Sequence, residues 1–177
     1  MRYRLPLFVL LALLTAGSVA AQTNLGIVGG ALFPFGDFKD TSDISPYIGA
    51  RYEVQDVNAL GKVATTSYMI YGGYAFLLAS SDAGTDENGG YFDIGLGARV
   101  HSKTNGLFAG VGAGYVNFNP AGALSSSNGL GVMVGLGIAT NMTSFKLELE
   151  GRGNVGFMEG SQTITSILVL LGIGFPF

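Results

Sequence analysis

The sequence predicts an all-β fold, an eight-stranded antiparallel up-and-down transmembrane β-barrel, and three observations predict it. Segments of alternating hydrophobicity, about ten residues each, recur between turn signals; that is the period of a membrane-spanning strand, not of a helix. The chain ends on such a segment, Ser166-Ile-Leu-Val-Leu-Leu-Gly-Ile-Gly-Phe-Pro-Phe177. Its Ile167, Val169, Leu171, Ile173, Phe175 and Phe177 lie on one face, and Ser166, Gly172 and Gly174 on the other. Because side chains alternate across a strand, an unbroken apolar stripe requires an apolar medium on one side only. Third, Lys146, Glu148, Glu150 and Arg152 share a face opposite Phe145, Leu147 and Leu149, and a charged face of that kind needs a polar or filled interior.

Taken from the N-terminus, Met1-Arg-Tyr-Arg4 is a basic region, Leu5 to Ala16 a short apolar stretch, and Ser18-Val-Ala20 or Val19-Ala-Ala21 a small-residue cleavage site. Residues 1–21 are therefore expected to be a cleaved signal peptide and residues 22–177 a single barrel domain. The apolar stretch falls short of the roughly 20 residues of a spanning helix. The chain has no cysteine, which excludes both disulfides and a lipid-modified N-terminal cysteine.

The eight strands follow by parity. Leu25, Ile27, Ala31 and Phe33 form the apolar face of the first, Ile48, Ala50, Tyr52 and Val54 that of the second, and Tyr68, Ile70, Tyr74, Phe76 and Leu78 that of the third. The fourth presents Phe92, Ile94, Leu96, Ala98 and Val100, the fifth Leu107, Ala109, Val111, Ala113 and Tyr115, and the sixth Leu130, Val132, Val134, Leu136 and Ile138. The charged segment at 145–154 is the seventh strand, and the terminal segment the eighth. Long polar connections are expected at 34–46, 79–90, 117–129 and 155–163, and short ones at 101–106 and 140–144. Gln55 to Thr66 is too long for a short turn and is read as an extension of strands two and three beyond the membrane. Aromatics fall into two girdles. Phe33, Phe76, Phe92 and Tyr115 lie near one rim, with Tyr52, Tyr68, Phe145, Phe175 and Phe177 near the other.

Without Arg2 and Arg4, seven of the nine basic residues remain against twelve acidic ones, a formal charge of −5, and the bases are scattered. That excludes nucleic acid as a partner, since no Lys/Arg cluster could neutralise phosphates. Twenty-nine glycines suit the interior of a small barrel. A charge at the bilayer midplane costs about 2–4 kcal/mol, so the charged faces must line the lumen. They supply Arg51, Glu53, Asp93, Arg99, Lys146, Glu148, Glu150 and Arg152, four of each sign, with His101 beside them. Eight strands enclose a space about wide enough for side chains. Buried charges persist when paired. A salt-bridged plug is expected, with Gly131, Gly135, Gly137, Gly172 and Gly174 leaving room for the long side chains. A narrow gated pore or small hydrophobic-solute channel is the alternative.

The terminal aromatic strand, the loop rhythm and Phe33-Pro-Phe-Gly-Asp-Phe38, similar to a P-x-G-D-F turn, together resemble the small OmpA/OmpX-type outer-membrane barrels. The resemblance implies residence in the outer membrane of a Gram-negative-type (diderm) bacterium, contact with outer-membrane lipid, and recognition of Ile173, Phe175 and Phe177 by the barrel assembly machinery. It also implies a task in envelope integrity and display of surface loops. Neither a cofactor nor enzymatic activity is expected.

Other motifs carry less. Gly151-Arg-Gly-Asn-Val-Gly156 matches G-x-G-x-x-G by spelling, but no helix follows to hold a pyrophosphate. Asp82-Ala-Gly-Thr-Asp86-Glu-Asn88 with Asp93 departs from a calcium loop, since Glu87 stands where the sharp-turn glycine belongs, and no metal is expected. Asn141-Met-Thr143 reads as a turn. His101 is expected at the inner rim, satisfied by water or a carboxylate, and Ser102 as the start of a turn. The acidic outer loops (Asp37, Asp40, Asp43, Asp82, Asp86, Glu87, Glu159) leave room for an extracellular ligand of unknown identity.

Overall fold

A computed structural model describes residues 21–177 except 82, 83, 85 and 121–125. The expected signal peptide lies outside the described residues except for Ala21, which opens the first strand opposite Asp56. The strands are β1 (Ala21–Phe35), β2 (Ser45–Leu60), β3 (Ala64–Leu77), β4 (Gly89–Ser102), β5 (Leu107–Asn119), β6 (Ser127–Asn141), β7 (Lys146–Met158) and β8 (Thr163–Pro176). Each pairs antiparallel with the next, and β8 returns to β1, so the sheet closes as an up-and-down barrel with no free edge. At 13 to 16 residues, every strand exceeds the roughly 9–11 that a tilted strand needs to cross a bilayer.

Parity decides which side of the wall a residue faces. Leu25, Ile48, Val111, Leu136 and Leu171 point outward and stay exposed, and the other outward positions of the alternating pattern are exposed or half-buried, as at Phe33, Tyr52 and Ile70. The barrel's outer surface is thus apolar along its length, the reverse of a soluble barrel. Tyr74 and Phe76 meet edge-on at 4.8 Å toward the end of the barrel remote from Ala21 and Phe177, hereafter the upper end. Tyr52 and Phe177 lie 6.3 Å apart at the lower end, where the described chain begins and ends.

Most strands run further than expected, although β3 stops at Leu77, short of Leu78, and β7 starts at Lys146, one residue after Phe145. β5 and β6 stay in register to Phe118 and Ser127, and β7 and β8 to Phe157 and Thr163, so the upper connections shrink. The reason is inside the barrel, where Phe118, Met158 and Ile164 are buried and hold the ends of these strands on a packed interior. At the lower end, β2 and β3 continue as a ribbon to Leu60 and Ala64, with a register shift between Asp56 and Leu60. Gly61 turns that ribbon at φ +66°. Gln55 to Thr66 is therefore strand extension, as expected. Asn141-Met-Thr143 enters a tight turn closed by Met142 N–H donating to Phe145 O at 2.8 Å.

The first upper connection contains a five-residue helix, α1 (Asp37–Thr41), which parity could not foresee. Gly36 precedes it at φ +63°, a backbone conformation that favours glycine. The chain folds back there, and Phe38 enters the upper mouth, only 3% exposed and edge-on to Phe118 at 5.0 Å. The neighbouring connection holds the helix from the other side. Asp43 N–H donates to Leu78 O at 2.9 Å, Ser80 Oγ donates to Asp40 O at 2.7 Å, and Ser42 bridges to Ala79.

Candidate functional site

The inward faces of β2, β4 and β7 bring their charges together in the lower part of the lumen. Arg51 and Arg99, from β2 and β4 on either side of β3, reach across the lumen to the two glutamates of β7. Arg51 pairs with Glu148 and lies 3.2 Å from Glu150 Oε2, while Arg99 pairs with Glu150 and lies 3.1 Å from Glu148 Oε2. Each carboxylate thus accepts from both guanidinium groups. Arg152 Nε approaches the second oxygen of Glu150 at 2.9 Å, and Lys146 Nζ that of Glu148 at 2.7 Å. Glu53 extends the set toward β2, 3.6 Å from Lys146 Nζ and 3.8 Å from Arg51 Nε. All these residues are at most 7% exposed, so every charge is compensated by protein rather than by bulk water.

Two features of the wall make the crossing possible. Arg99 lies across Gly110, where an added Cβ would stand 2.8 Å from its Cγ, and Glu150 lies over Gly135 at 2.9 Å from such an atom. Larger residues there would displace the ion pairs. Aromatic faces complete the lining, with the Arg99 guanidinium 4.5 Å from the Phe108 ring centre and that of Arg152 5.2 Å from Tyr71. Gly137 serves a different neighbour from the one expected, because it faces the Phe108 ring, and Gly131 faces Val116. Gly172 and Gly174 do lie against Glu148 and Lys146, since a Cβ added at each would stand 3.6 and 3.7 Å from theirs.

Asp93 departs from the expected network. Among the described residues, its carboxylate takes no part in the ion pairs and instead accepts a hydrogen bond from Tyr47 Oη at 2.9 Å. β4 carries it higher in the barrel, level with Gly73 and Val116, whereas Arg99 is level with Ser67 and Gly110. The ion-paired set therefore holds four cations (Arg51, Arg99, Lys146, Arg152) against three carboxylates (Glu53, Glu148, Glu150). Asp93 restores neutrality only as a more distant partner. Its inward position also removes it from the acidic loop beside it in sequence, of which Asp82 lies outside the described residues.

His101 is buried, not open at the rim. Its Nε2 lies 2.8 Å from Glu53 Oε1 and 2.9 Å from Ser67 Oγ, while Ser67 Oγ donates to the same Glu53 oxygen. A serine, a histidine and an acid thus meet, yet both contacts fall on one ring nitrogen. In a nucleophilic relay the acid holds one nitrogen while the other takes the serine proton. The arrangement anchors Glu53 and matches no such relay. Ser102 Oγ lies 3.1 Å from Thr104 Oγ1 and accepts from the Thr104 amide at 3.4 Å, the turn expected of it. Among the described residues, no group of three or more His, Cys, Asp or Glu side chains could hold a metal ion.

Above the charges the lumen changes character. Leu32 of β1, Leu77 of β3, Tyr91 of β4, Phe118 of β5, Met158 of β7 and Leu168 of β8 form one buried apolar cluster, capped by Phe38 of α1. Leu168 and Leu170 belong to the face of the terminal strand that parity reading assigned to Ser166, Gly172 and Gly174, and they are 0% and 1% exposed. Met69, Tyr71 and Met133 fill the middle, where Gly97 and Gly112 accommodate the methionine methyls. The interior thus has a charged lower stratum and an apolar upper one, with Asp93 and its tyrosine partner between them.

Ile173, Phe175 and Phe177 stand outward and exposed on or just beyond β8. The last residue is tied back across the seam, with Phe177 N–H donating to Thr23 O at 3.1 Å and Thr23 Oγ1 to Phe177 O at 2.6 Å.

No family model and no curated protein sequence matches the chain. Solved structures do. Neisserial surface protein A is similar at a TM-score of 0.61 and 12% identity, over 90% of this chain and 100% of its own. The N-terminal β-barrel domain of Pseudomonas aeruginosa OprF is similar at 0.50 and 15% identity, over 89% and 99%. The fold is that of the small eight-stranded outer-membrane β-barrels, in agreement with the resemblance noted from sequence.

Proposed function

We propose that the protein is an integral barrel of the outer membrane of a diderm bacterium, with a structural task. It contributes to envelope integrity and displays its upper connections outside, without conducting solutes. The observation that carries this reading is the doubly filled lumen: a cross-lumen ion-pair network below and an apolar stack capped by Phe38 above. An ion that threaded the lower charges would still have to pass the packed apolar cluster above them, at a desolvation cost of several kcal/mol. The apolar outer wall and the two aromatic girdles support the membrane placement. By the same reading Ile173, Phe175 and Phe177 are the assembly signal, since they stand outward on or just beyond the closing strand, where a second protein can reach them.

A narrow gated pore is the competing reading, and one observation favours it: Glu148 holds two guanidinium groups and Glu150 three, so each has alternative partners ready. Recording of the purified protein in planar bilayers separates the two. The filled barrel gives no steady conductance and does not accelerate liposome swelling with graded solutes; persistent channel events would sink it in favour of the pore.

A further inference from the structure

We propose that Asn105 is a site of spontaneous deamidation, where the Gly106 nitrogen closes a succinimide on the Asn105 side chain and water opens it to aspartate or isoaspartate. The site lies in the β4–β5 turn at the lower end, apart from the lumen charges and the apolar stack. The chain has three Asn-Gly pairs, Asn88-Gly89, Asn105-Gly106 and Asn128-Gly129, and glycine brings no Cβ to crowd an attacking nitrogen. The fold treats the three differently.

At the β4–β5 turn the fold itself demands the pair. Gly106 stands at φ +71°, and a Cβ added there would collide with Ala139 O, so a larger residue does not fit. Asn105 closes the turn, its Oδ1 accepting the Leu107 N–H at 3.2 Å. The same bond aims a donor at the oxygen on which negative charge gathers when Asn105 Cγ is attacked. Asn105 is exposed, and among the described residues no hydrogen bond holds its Nδ2, the group that has to leave. The nucleophile is already at hand. Gly106 N is joined to Asn105 Cγ through Asn105 C, Cα and Cβ alone, and rotation about the ψ and χ1 bonds of Asn105 brings the two together.

The other pairs are held. Asn128 is half-buried, and its Oδ1 accepts from Tyr115 Oη and Asn117 Nδ2, both at 2.6 Å, while Gly129 lies within the sheet between Val116 and Met158. Asn88 is exposed, but Gly89 is paired with Leu77, where the ladder fixes the backbone that ring closure has to turn.

Peptide resonance ties up the lone pair of an amide nitrogen, so Gly106 N attacks after losing its proton to base. The N–Cγ bond forms, the Cγ–Nδ2 bond breaks, and the side-chain amide leaves as ammonia with a proton returned from solvent. Water then adds to one imide carbonyl. If the new N–Cγ bond breaks, the product is aspartate in an unaltered main chain; if the bond from Gly106 N to Asn105 C breaks, it is isoaspartate. Either adds a negative charge to the lower rim. Isoaspartate also lengthens the main chain by a methylene and so displaces Gly106 O, which accepts the Ala139 N–H at 2.8 Å and ties this turn to β6.

The test is peptide mass spectrometry of the folded protein after days in detergent micelles at mildly alkaline pH, with the unheated gel band as the check on folding. Asn105 is expected to show the mass gain of an amide turned to an acid severalfold sooner than Asn88 or Asn128, and faster as pH rises. As isoaspartate accumulates, hydrogen exchange at the Ala139 amide rises with it. Asn105→Gln, whose longer side chain cannot close the five-membered ring, keeps the gel band and removes both changes. In the chain unfolded in urea the three pairs react alike. Conversion led by Asn88 or Asn128 in the folded protein, an unreactive Asn105, or the same order of reaction in urea overturns the proposal.

Discussion

The lower and upper halves of the lumen solve the same packing problem in opposite ways. Below, Arg51, Arg99, Glu148 and Glu150 fill the space with charges that cross from wall to wall. Above, Leu32, Leu77, Phe118 and Leu168 fill it as the core of a soluble protein would. The charged stratum is strongly specific because each ion needs its partner in place, whereas the apolar stratum gains stability from burial and tolerates reshaping. The difference teaches that a membrane barrel of this size need not have a polar interior. It needs only a filled one.

The comparison is most sharply broken from below. Glu148→Gln with Glu150→Gln leaves Arg51, Arg99 and Arg152 buried without their anions, and is expected to cost about 3–5 kcal/mol for each substitution. The readout is a large fall in the urea concentration or temperature at which the unheated gel band is lost. Were the pore reading right, the same pair would leave the band intact and change ion selectivity. Leu168→Ala, in the apolar half, removes a side chain of 0% exposure and is expected to cost about 2–5 kcal/mol by the same assay. At the boundary, Tyr47→Phe takes the one side-chain hydrogen-bond donor on Asp93 among the described residues and is expected to cost about 1–3 kcal/mol. Phe38→Ala should leave the barrel's unfolding nearly unchanged while α1 loosens, seen as faster protease cleavage near 37–41, because short connections open locally. The smallest effect is expected at Leu171→Ala, three residues from Leu168 but outward and 68% exposed, at no more than about 0.5 kcal/mol.

The charged half was legible in the sequence because Lys146 to Arg152 alternates without a break, and a charge that cannot face lipid must face inward. The apolar half was not. Ile167 to Leu171 is five apolar residues in succession, so Leu168 and Leu170 carry no periodic signal that separates them from the outward Val169. α1 is five residues long, too short for a helical period, and its one signal was the buried-type Phe38 behind a turn glycine. Partners across the lumen, such as Tyr47 with Asp93 or His101 with Glu53, depend on the stagger of the closed sheet. Parity along a strand fixes the side of the wall and says nothing of that stagger.

The seam between β1 and β8 sets the order of events in folding. Thr23 and Phe177 are separated by 154 positions, and their bonds form between the two ends of the described chain. Loop-closure entropy must be met before contacts so distant in sequence repay it, and topologies ruled by such contacts fold slowly. The cylinder therefore cannot close before β8 is available to pair with β1. Until β8 arrives, β1 has an unpaired edge open to any other strand. Premature pairing with a foreign chain, more than loss of any single interior contact, is the hazard that this topology has to be guarded against.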